Sequence, residues 1–506
     1  MYARTYGETT YGLDGVLVIV EVDIANGLPS FDIVGLPDTA VKEARERVRA
    51  AIKNSGFSFP TTRITVNLAP ADIKKDSSGL DLAIAVGILA ASGQIHQLDC
   101  LEAVFIGELS LEGTIRSVNG VLPMLLHAYS KNKQKIFLAK DNVNEGVLVK
   151  ELELYGVGSI VELVKHLNGE QALPRESSLN NAVADNLAML EDFADVQGQL
   201  VAKRALEIAA AGGHNILLVG SPGSGKTMLA RRMPSILPSM TEVERLEITK
   251  IYSVAGLLGK AENTVNSRPF RSPHHTISHG GLIGGGRIPK PGEVTLSHNG
   301  VLFLDEFPEF SRTALEVLRQ PLEDGEVSIT RVQASLCYPA RFTLIAAMNP
   351  CPCGYQGDEV RECTCSLSDV ERYRKKLSGP LLDRIDLQVY VPRIKYQEMK
   401  DKQAQERSAV IRERVQKARE KQLTRFAVEG ITCNAHMGHR EIKRYCEFDK
   451  EADVLIEKAF NSLGLSARSH DRIIKVARTI ADLADCPVIN SKHLAEAIQL
   501  RTSFKA

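Results

Sequence analysis

Gly220-Ser-Pro-Gly-Ser-Gly225-Lys226-Thr227 follows the apolar run Asn215 to Val219 and precedes a helical stretch. This is the GxxxxGK[ST] pattern in the strand–loop–helix setting that gives it meaning. Its glycines let main-chain N–H groups turn inward around phosphate oxygens, and the start of the following helix favours the same anions. Within the loop, Gly220, Ser221, Pro222, Gly223, Ser224 and Gly225 are the expected cradle for ATP. Lys226 is expected to reach its β- and γ-phosphates, and Thr227 to ligate Mg²⁺. A second apolar run, Val301 to Leu304, ends in Asp305-Glu306. Ligands of parallel α/β sheets bind at the C-terminal ends of strands. Asp305 is therefore expected to hold Mg²⁺ and Glu306 to polarise an attacking water. A third run, Leu344 to Met348, ends in Asn349, whose carboxamide could position that water; a simple turn before Pro350 is the plainer alternative. Arg384, in GPLLDRID, follows the core, where the plain alternative is a pair with Asp383 or Asp386. Arg468 precedes a helical stretch near the C-terminus.

Two C-x-C pairs, Cys351/Cys353 and Cys363/Cys365, bracket a loop containing glycine. Four thiols so placed suit a tetrahedral zinc site. The spacing is tighter than the usual C-x₂₋₄-C, and reduced unbound thiols or a redox pair remain alternatives. Cys100, Cys337, Cys433, Cys446 and Cys486 read as core or chance positions.

Positioning these groups takes a parallel sheet and more. The chain has 506 residues, 44% hydrophobic and 25% charged, an ordinary globular composition. The text separates into an α/β stretch over 1–165, a polar linker over 166–190, a glycine-rich strand–loop–helix stretch over 191–392 and a largely helical part over 393–506. The mixed charges of Asp401 to Arg425 fit an exposed helix, whereas Leu82 to Ala91 has the length of a buried one. Net charge is zero, but residues 393–506 hold 23 Lys+Arg against 16 Asp+Glu. That excess is mild support for nucleic-acid contact, and a solvated helical surface explains it equally. No basic start and apolar core suggest a signal peptide, and no apolar run is long enough to span a membrane. The expected setting is the cytoplasm, with reduced thiols.

Arg268-Pro-Phe-Arg-Ser-Pro-His-His275, Leu282-Ile-Gly-Gly-Gly286 and Pro291-Gly-Glu-Val-Thr-Leu-Ser-His298 resemble the ATPase subunit of magnesium chelatase. With Phe31 to Pro37, Ala69 to Asp72 and Ala477 to Ala481, nearly the whole chain is similar to the bacterial ComM/YifB family. The resemblance implies an AAA+ core, a parallel sheet with helices on both faces, followed by a C-terminal helical lid. Within it Asn349 matches sensor 1, Arg468 matches sensor 2, and Arg384 matches the arginine that reaches a neighbouring subunit's γ-phosphate. It implies a ring, taken as a homo-hexamer. It also implies inserts near Ser272 to Pro291 and between about Glu326 and Phe342 that face the pore in related helicases. Arg287, Lys290 and Arg331 on these inserts are candidate DNA contacts, with His274, His275 and His279 nearby; ordinary surface or interface packing is the plainer reading of each. The implied activity is ATP hydrolysis coupled to movement on single-stranded or branched DNA, a helicase or branch-migration translocase in recombination or natural transformation. The alternative is a chelatase-like ATPase that remodels a partner protein.

Residues 1–165 resemble the Lon protease domain, of ribosomal S5-like fold, through Gly107 to Gly113, Val118 to Gly120 and Lys75-Asp76. The resemblance puts Gly79 at the catalytic Ser position, with Ser77 and Ser78 close in register. The general-base Lys should fall in Val121 to Leu126, which contains none. A serine without its base is a poor nucleophile, so no peptidase activity is expected.

Overall fold

Strands Tyr2–Tyr11 and Asp14–Ala25 run antiparallel, with Tyr2 opposite Asp23 and Tyr11 opposite Asp14. They centre a seven-stranded mixed sheet. From edge to edge its order is Ser30–Val34, Arg63–Ala69, Asp14–Ala25, Tyr2–Tyr11, Ala103–Ile106, Lys135–Ala139 and Glu153–Val157. Helix Asp81–Ala91 is buried along its whole length, as its apolar text requires. It can approach the sheet closely because Gly87 has no side chain; a methyl there would lie 2.7 Å from Val22 Cγ2.

This is a computed structural model, which describes residues 1–36, 39–72, 75, 78–96, 102–176, 191–259, 264–286, 289–331, 334–394 and 405–502. It has two compact units: Met1–Ala184 with Arg245–Val265, and Asp185–Glu244 with Asn266–Ala506. In the first unit, the stretch expected as linker begins as packed chain. Leu173 is buried, its N–H donates to His166 Nδ1 at 3.0 Å, and Glu176 bridges to Leu154. From Arg245 onward, helix Glu242–Ala255 also belongs to this unit, although in sequence it lies inside the expected ATPase core. There Gly120 N–H donates to Ser253 O at 3.0 Å and the Ser253 hydroxyl donates to buried Glu145.

The second unit is built on a five-stranded parallel sheet, in the order Phe270–Arg271, Val301–Leu304, Thr343–Met348, Ile216–Val219, Leu387–Tyr390. The three strands bearing the predicted site residues are buried throughout, the mark of a parallel sheet covered on both faces. Its core is continuous with the C-terminal helices: Ile216, Phe303 and Ile345 share one apolar cluster with Ile411, Val415, Ile473 and Ile480. Helix Ser408–Arg425 is accordingly not exposed all round. Ile411, Val415, Ala418 and Gln422 form a buried stripe at helical spacing, and the mixed charges occupy the rest.

Two hairpins stand where the inserts are expected, Gly284–Gly285 with Lys290–Pro291 and Glu326–Arg331 with Ala334–Pro339. They pack together. The Tyr338 hydroxyl donates to Pro289 O at 2.8 Å, and a methyl at Gly284 would lie 3.1 Å from Ile329 Cδ1.

Candidate active site

Strand order explains how distant residues meet. Thr343–Met348 lies between Ile216–Val219 and Val301–Leu304, so the loop after Val219, Asn349 and the acids after Leu304 leave one sheet edge side by side. Gly223 and Gly225 take φ of +78° and +92°, which turns the loop back on itself. A methyl at Gly220 would strike Val391 O at 2.2 Å. Thr227 Oγ1 donates to Asp305 Oδ2 at 2.7 Å, an oxygen pair suited to Mg²⁺. Lys226 Nζ donates to Gly220 O at 2.6 Å and Ser221 O at 2.9 Å, and reaches Asn349 Oδ1 at 3.3 Å. Burial pulls its ammonium down to about 8, against the opposing attraction of Asp305. The Ser224 hydroxyl is buried with no hydrogen-bond partner among the described residues. Unpartnered buried polar atoms are rare, and the Ser221 hydroxyl of the same loop is a second one among the described residues. These donors fit a Mg²⁺-bound nucleoside triphosphate.

Glu306 leaves the sheet in the left-handed region, φ +51°, and stays exposed. His275 Nδ1 lies 3.1 Å from Glu306 Oε2. The sequence sets His275 beside the insert cations; the structure places it instead on the acid expected to polarise water.

Arg384 and Arg468 are brought together, on Glu323. Arg384 is 7% exposed; Nη1 donates to Pro380 O at 2.8 Å and Nη2 pairs with Glu323, while Arg468 Nη2 lies 3.7 Å from the same carboxylate. Arg384 thus pairs with neither Asp383 nor Asp386. Burial, then Arg319, Arg468 and Arg472, lower its pKa. Together with Arg472 and Lys475 the two arginines line a cavity of about 480 Å³. Beneath them Asp386 accepts from Arg472 Nη1 at 2.5 Å and from Asn215 N–H at 3.0 Å. Arg384 O accepts from Arg472 at 3.0 Å and Asn215 Nδ2 at 3.1 Å.

The four sulfurs of Cys351, Cys353, Cys363 and Cys365 lie within 4.8 Å of one another, an arrangement able to hold a metal ion. Of the candidate DNA contacts, Lys290 is exposed on the first hairpin and Arg331 ends a strand of the second; Arg287 lies outside the described residues. In the first unit, Lys75 is fully buried, its ammonium bonded to Gly35 O at 3.1 Å and to Pro70 O. Gly79 is buried in a short 3₁₀ turn and the Ser78 hydroxyl donates to Glu108. Asp76 and Ser77 lie outside the described residues. Helix Val121–Ser130 carries no lysine.

Models of the magnesium chelatase ChlI subunit match residues 20–142 and 192–399, and a model of its C-terminal part matches 405–501. The chain is 46% identical to the competence protein ComM of Haemophilus influenzae over 99% of its length and 98% of that protein's. It is 43% identical to the uncharacterized protein YifB of Escherichia coli, over 97% and 95% respectively. The chain belongs to the ComM/YifB family. The magnesium-chelatase 67 kDa subunit of Chlorobaculum parvum is 27% identical over 31% of this chain and 23% of its own.

A ComM/YifB protein is therefore a magnesium-chelatase-like AAA+ ATPase by family, and the core shows the mixed α/β architecture expected of one. Two features of this core are not readable in the sequence. There Asp386 is only a possible partner for Arg384, and its bond to Arg472 crosses 86 positions with no local pattern. The His275–Glu306 pair joins two motifs that nothing in the chain's text links. Among the described residues, no helix is long and apolar enough to cross a membrane.

Proposed function

We propose that this protein is an ATP-driven homo-hexameric motor that moves single-stranded or branched DNA, as a helicase or branch-migration translocase in recombination or natural transformation. The convergence of Lys226, Thr227, Asp305 and Asn349 at one sheet edge carries the ATPase half of the reading. When bound, Mg²⁺ would neutralise the charge that develops on the phosphates. Lys226 trades loop carbonyls for phosphate, Thr227 and Asp305 offer oxygens to the metal, Glu306 takes up the water's proton and Asn349 orients that water. Arg384 acts on the γ-phosphate of a neighbouring subunit, and Arg468 serves as sensor 2. The same reading gives the cysteine tetrad a zinc ion.

The joined hairpins support the DNA half. They form one packed pair bearing exposed Lys290 and the strand end at Arg331. Exposed cations so placed can grip a phosphate backbone without reading bases. The competence name of the Haemophilus relative agrees with this substrate.

The test is ATP hydrolysis with and without single-stranded and forked DNA, with Lys226→Ala as the blank. Stimulation that fades as salt rises is expected, because phosphate contacts release counterions. Lys290→Ala should weaken DNA binding and make its salt dependence shallower, by about one unit of slope in each subunit that grips a phosphate. Turnover indifferent to every DNA would sink the DNA half and favour the chelatase-like alternative, remodelling of a partner protein.

A further inference from the structure

We infer that a zinc ion held by Cys351, Cys353, Cys363 and Cys365 fixes a strut that braces the phosphate loop against Asn349. The metal half stands on the thiols; the bracing half rests on the ATPase reading above.

The sulfurs have the spacing of one tetrahedral centre. Cys351 Sγ lies 3.4 Å from Cys353 Sγ and 3.6 Å from Cys363 Sγ, and Cys353 Sγ lies 3.5 Å from Cys363 Sγ. Four sulfurs at about 2.3 Å from Zn²⁺ stand about 3.8 Å apart. The cysteines are unbridged. The Cys353 N–H points at Cys365 Sγ at 3.3 Å, a donor that suits a thiolate ligand. Soft, closed, all-sulfur coordination selects zinc over magnesium or calcium and leaves no open position for catalysis, so the site is structural.

Its location gives the structural role a target. Cys351 follows Asn349 by two positions, and the Gly354 N–H donates to Cys351 O at 3.0 Å, which closes a tight turn. Gly354 takes φ +89° and rests on the phosphate loop: a methyl there would lie 2.7 Å from Pro222 Cδ and Cγ and 3.8 Å from Asn349 Cγ. Further along, the Asp358 carboxylate accepts from the N–H groups of Val360 and Arg361 at 2.9 and 3.0 Å. The segment between the two C-x-C pairs therefore rests on Pro222 and lies beside Asn349. Without a cross-link this segment, which has no helix or strand, has little of its own to hold it against them. One ion joining both of its ends removes that freedom.

The test uses the full chain purified under reducing conditions. Zinc equimolar with protein by mass spectrometry is expected, as are the absorption bands of a tetrahedral cobalt–thiolate centre after cobalt exchange. Cys353→Ser and Cys365→Ser should lose the metal and, where circular dichroism shows them folded, bind a fluorescent ATP analogue several-fold more weakly. Gly354→Ala keeps all four thiols. It should retain zinc and still weaken the analogue several-fold, because its methyl presses on Pro222 in a strained conformation. Metal-free wild type, or zinc retained by both serine variants, overturns the site. Zinc present but analogue affinity unmoved in Gly354→Ala overturns the strut. Failure of the ATPase reading itself shows differently: the analogue would not bind wild type at all, the zinc content would stand, and the bracing half would fall.

Discussion

Each unit buries several carboxylates, and two of them, Glu8 and Asp386, are treated in opposite ways. In the first unit Glu8 sits inside the sheet with His127 Nδ1 at 3.1 Å. Burial raises its pKa to about 9, with Lys131 pulling weakly the other way, so the acid is neutral at physiological pH. In the second unit burial also pushes Asp386 up, but Arg472, with His214 and Lys475, outweighs it and holds the carboxyl well below its usual range. The difference lies in what each pair holds. Glu8 and His127 satisfy one another and lead nowhere. Asp386 ties Asn215, at the start of the phosphate-loop strand, to Arg472 of the C-terminal helices, and both of these also hold the main chain of Arg384. Buried charge is costly and persists where it places something. What it places here is an arginine expected to act in catalysis.

The largest effect should come from the residue so placed. Arg384→Ala is expected to lower ATP turnover by roughly 10³-fold or more, in the range for arginine fingers. Glu306→Gln should lose turnover by about 10²–10⁴-fold, as removal of a general base does. Lys75→Met, in the first unit, should leave turnover where it was. Mixing the two inactive variants sharpens the point. If Arg384 serves a neighbouring site, a mixed ring contains interfaces with an intact Glu306 on one side and an intact Arg384 on the other, and activity partly returns. No recovery in mixed rings would tie Arg384 to its own subunit, where Glu323 already holds it.

Asp386→Asn should come next. It leaves Arg472 buried without its charge partner, a loss of about 3–5 kcal/mol in unfolding free energy. Because folding depresses this pKa, the wild-type advantage is full above the ordinary carboxylate value of 3.8 and shrinks as pH falls below it. Urea unfolding at pH 7 and again near pH 2.5, about one unit below the ordinary carboxylate value, should show the gap narrowing. An equal gap at both would mean that Asp386 acts by shape and hydrogen bonding, not by charge.

The parts legible in the sequence are those written locally. The phosphate loop, Asp305-Glu306 and Asn349 each terminate an apolar run, and a run that ends in a polar group at a strand's C-terminal edge has a defined place in a parallel sheet. The four cysteines are legible because two short pairs flank one loop. What stays hidden joins distant segments. Glu323 meets Arg384 across 61 positions and Arg472 meets Asp386 across 86. Ends of the first unit are blurred for a different reason: polar text after Asn168 looks like linker, yet among its described residues Leu173 supplies a large apolar group that docks it. Helix Glu242–Ala255 reads as core by position alone, and nothing in its own sequence says which unit takes it.

Glu8 is unreadable because strand Tyr2–Tyr11 is central and covered on both faces, so five successive residues from Thr5 to Thr9 are buried and the inward–outward alternation disappears. Its prediction is the smallest and the most direct test of the contrast with Asp386. Glu8 takes up a proton on folding between its ordinary value of 4.5 and about 9. Its contribution to stability is therefore complete below pH 4.5 and declines as pH rises, by about 1.4 kcal/mol per unit while the folded acid stays protonated. Burial, then Lys131, lowers His127, against Asp14, and this acts in the opposite direction below its usual 6.5. The window from pH 6.5 to 9 separates Glu8 from His127, and the comparison with Glu8→Gln cancels the other groups that titrate there. Glu8→Gln keeps the shape and a donor for His127 and should flatten stability across that window relative to wild type, as read by urea midpoints, with ATP turnover unchanged. Parallel slopes in the two proteins would mean that Glu8 is ionised in the fold, and the two buried carboxylates would then be alike.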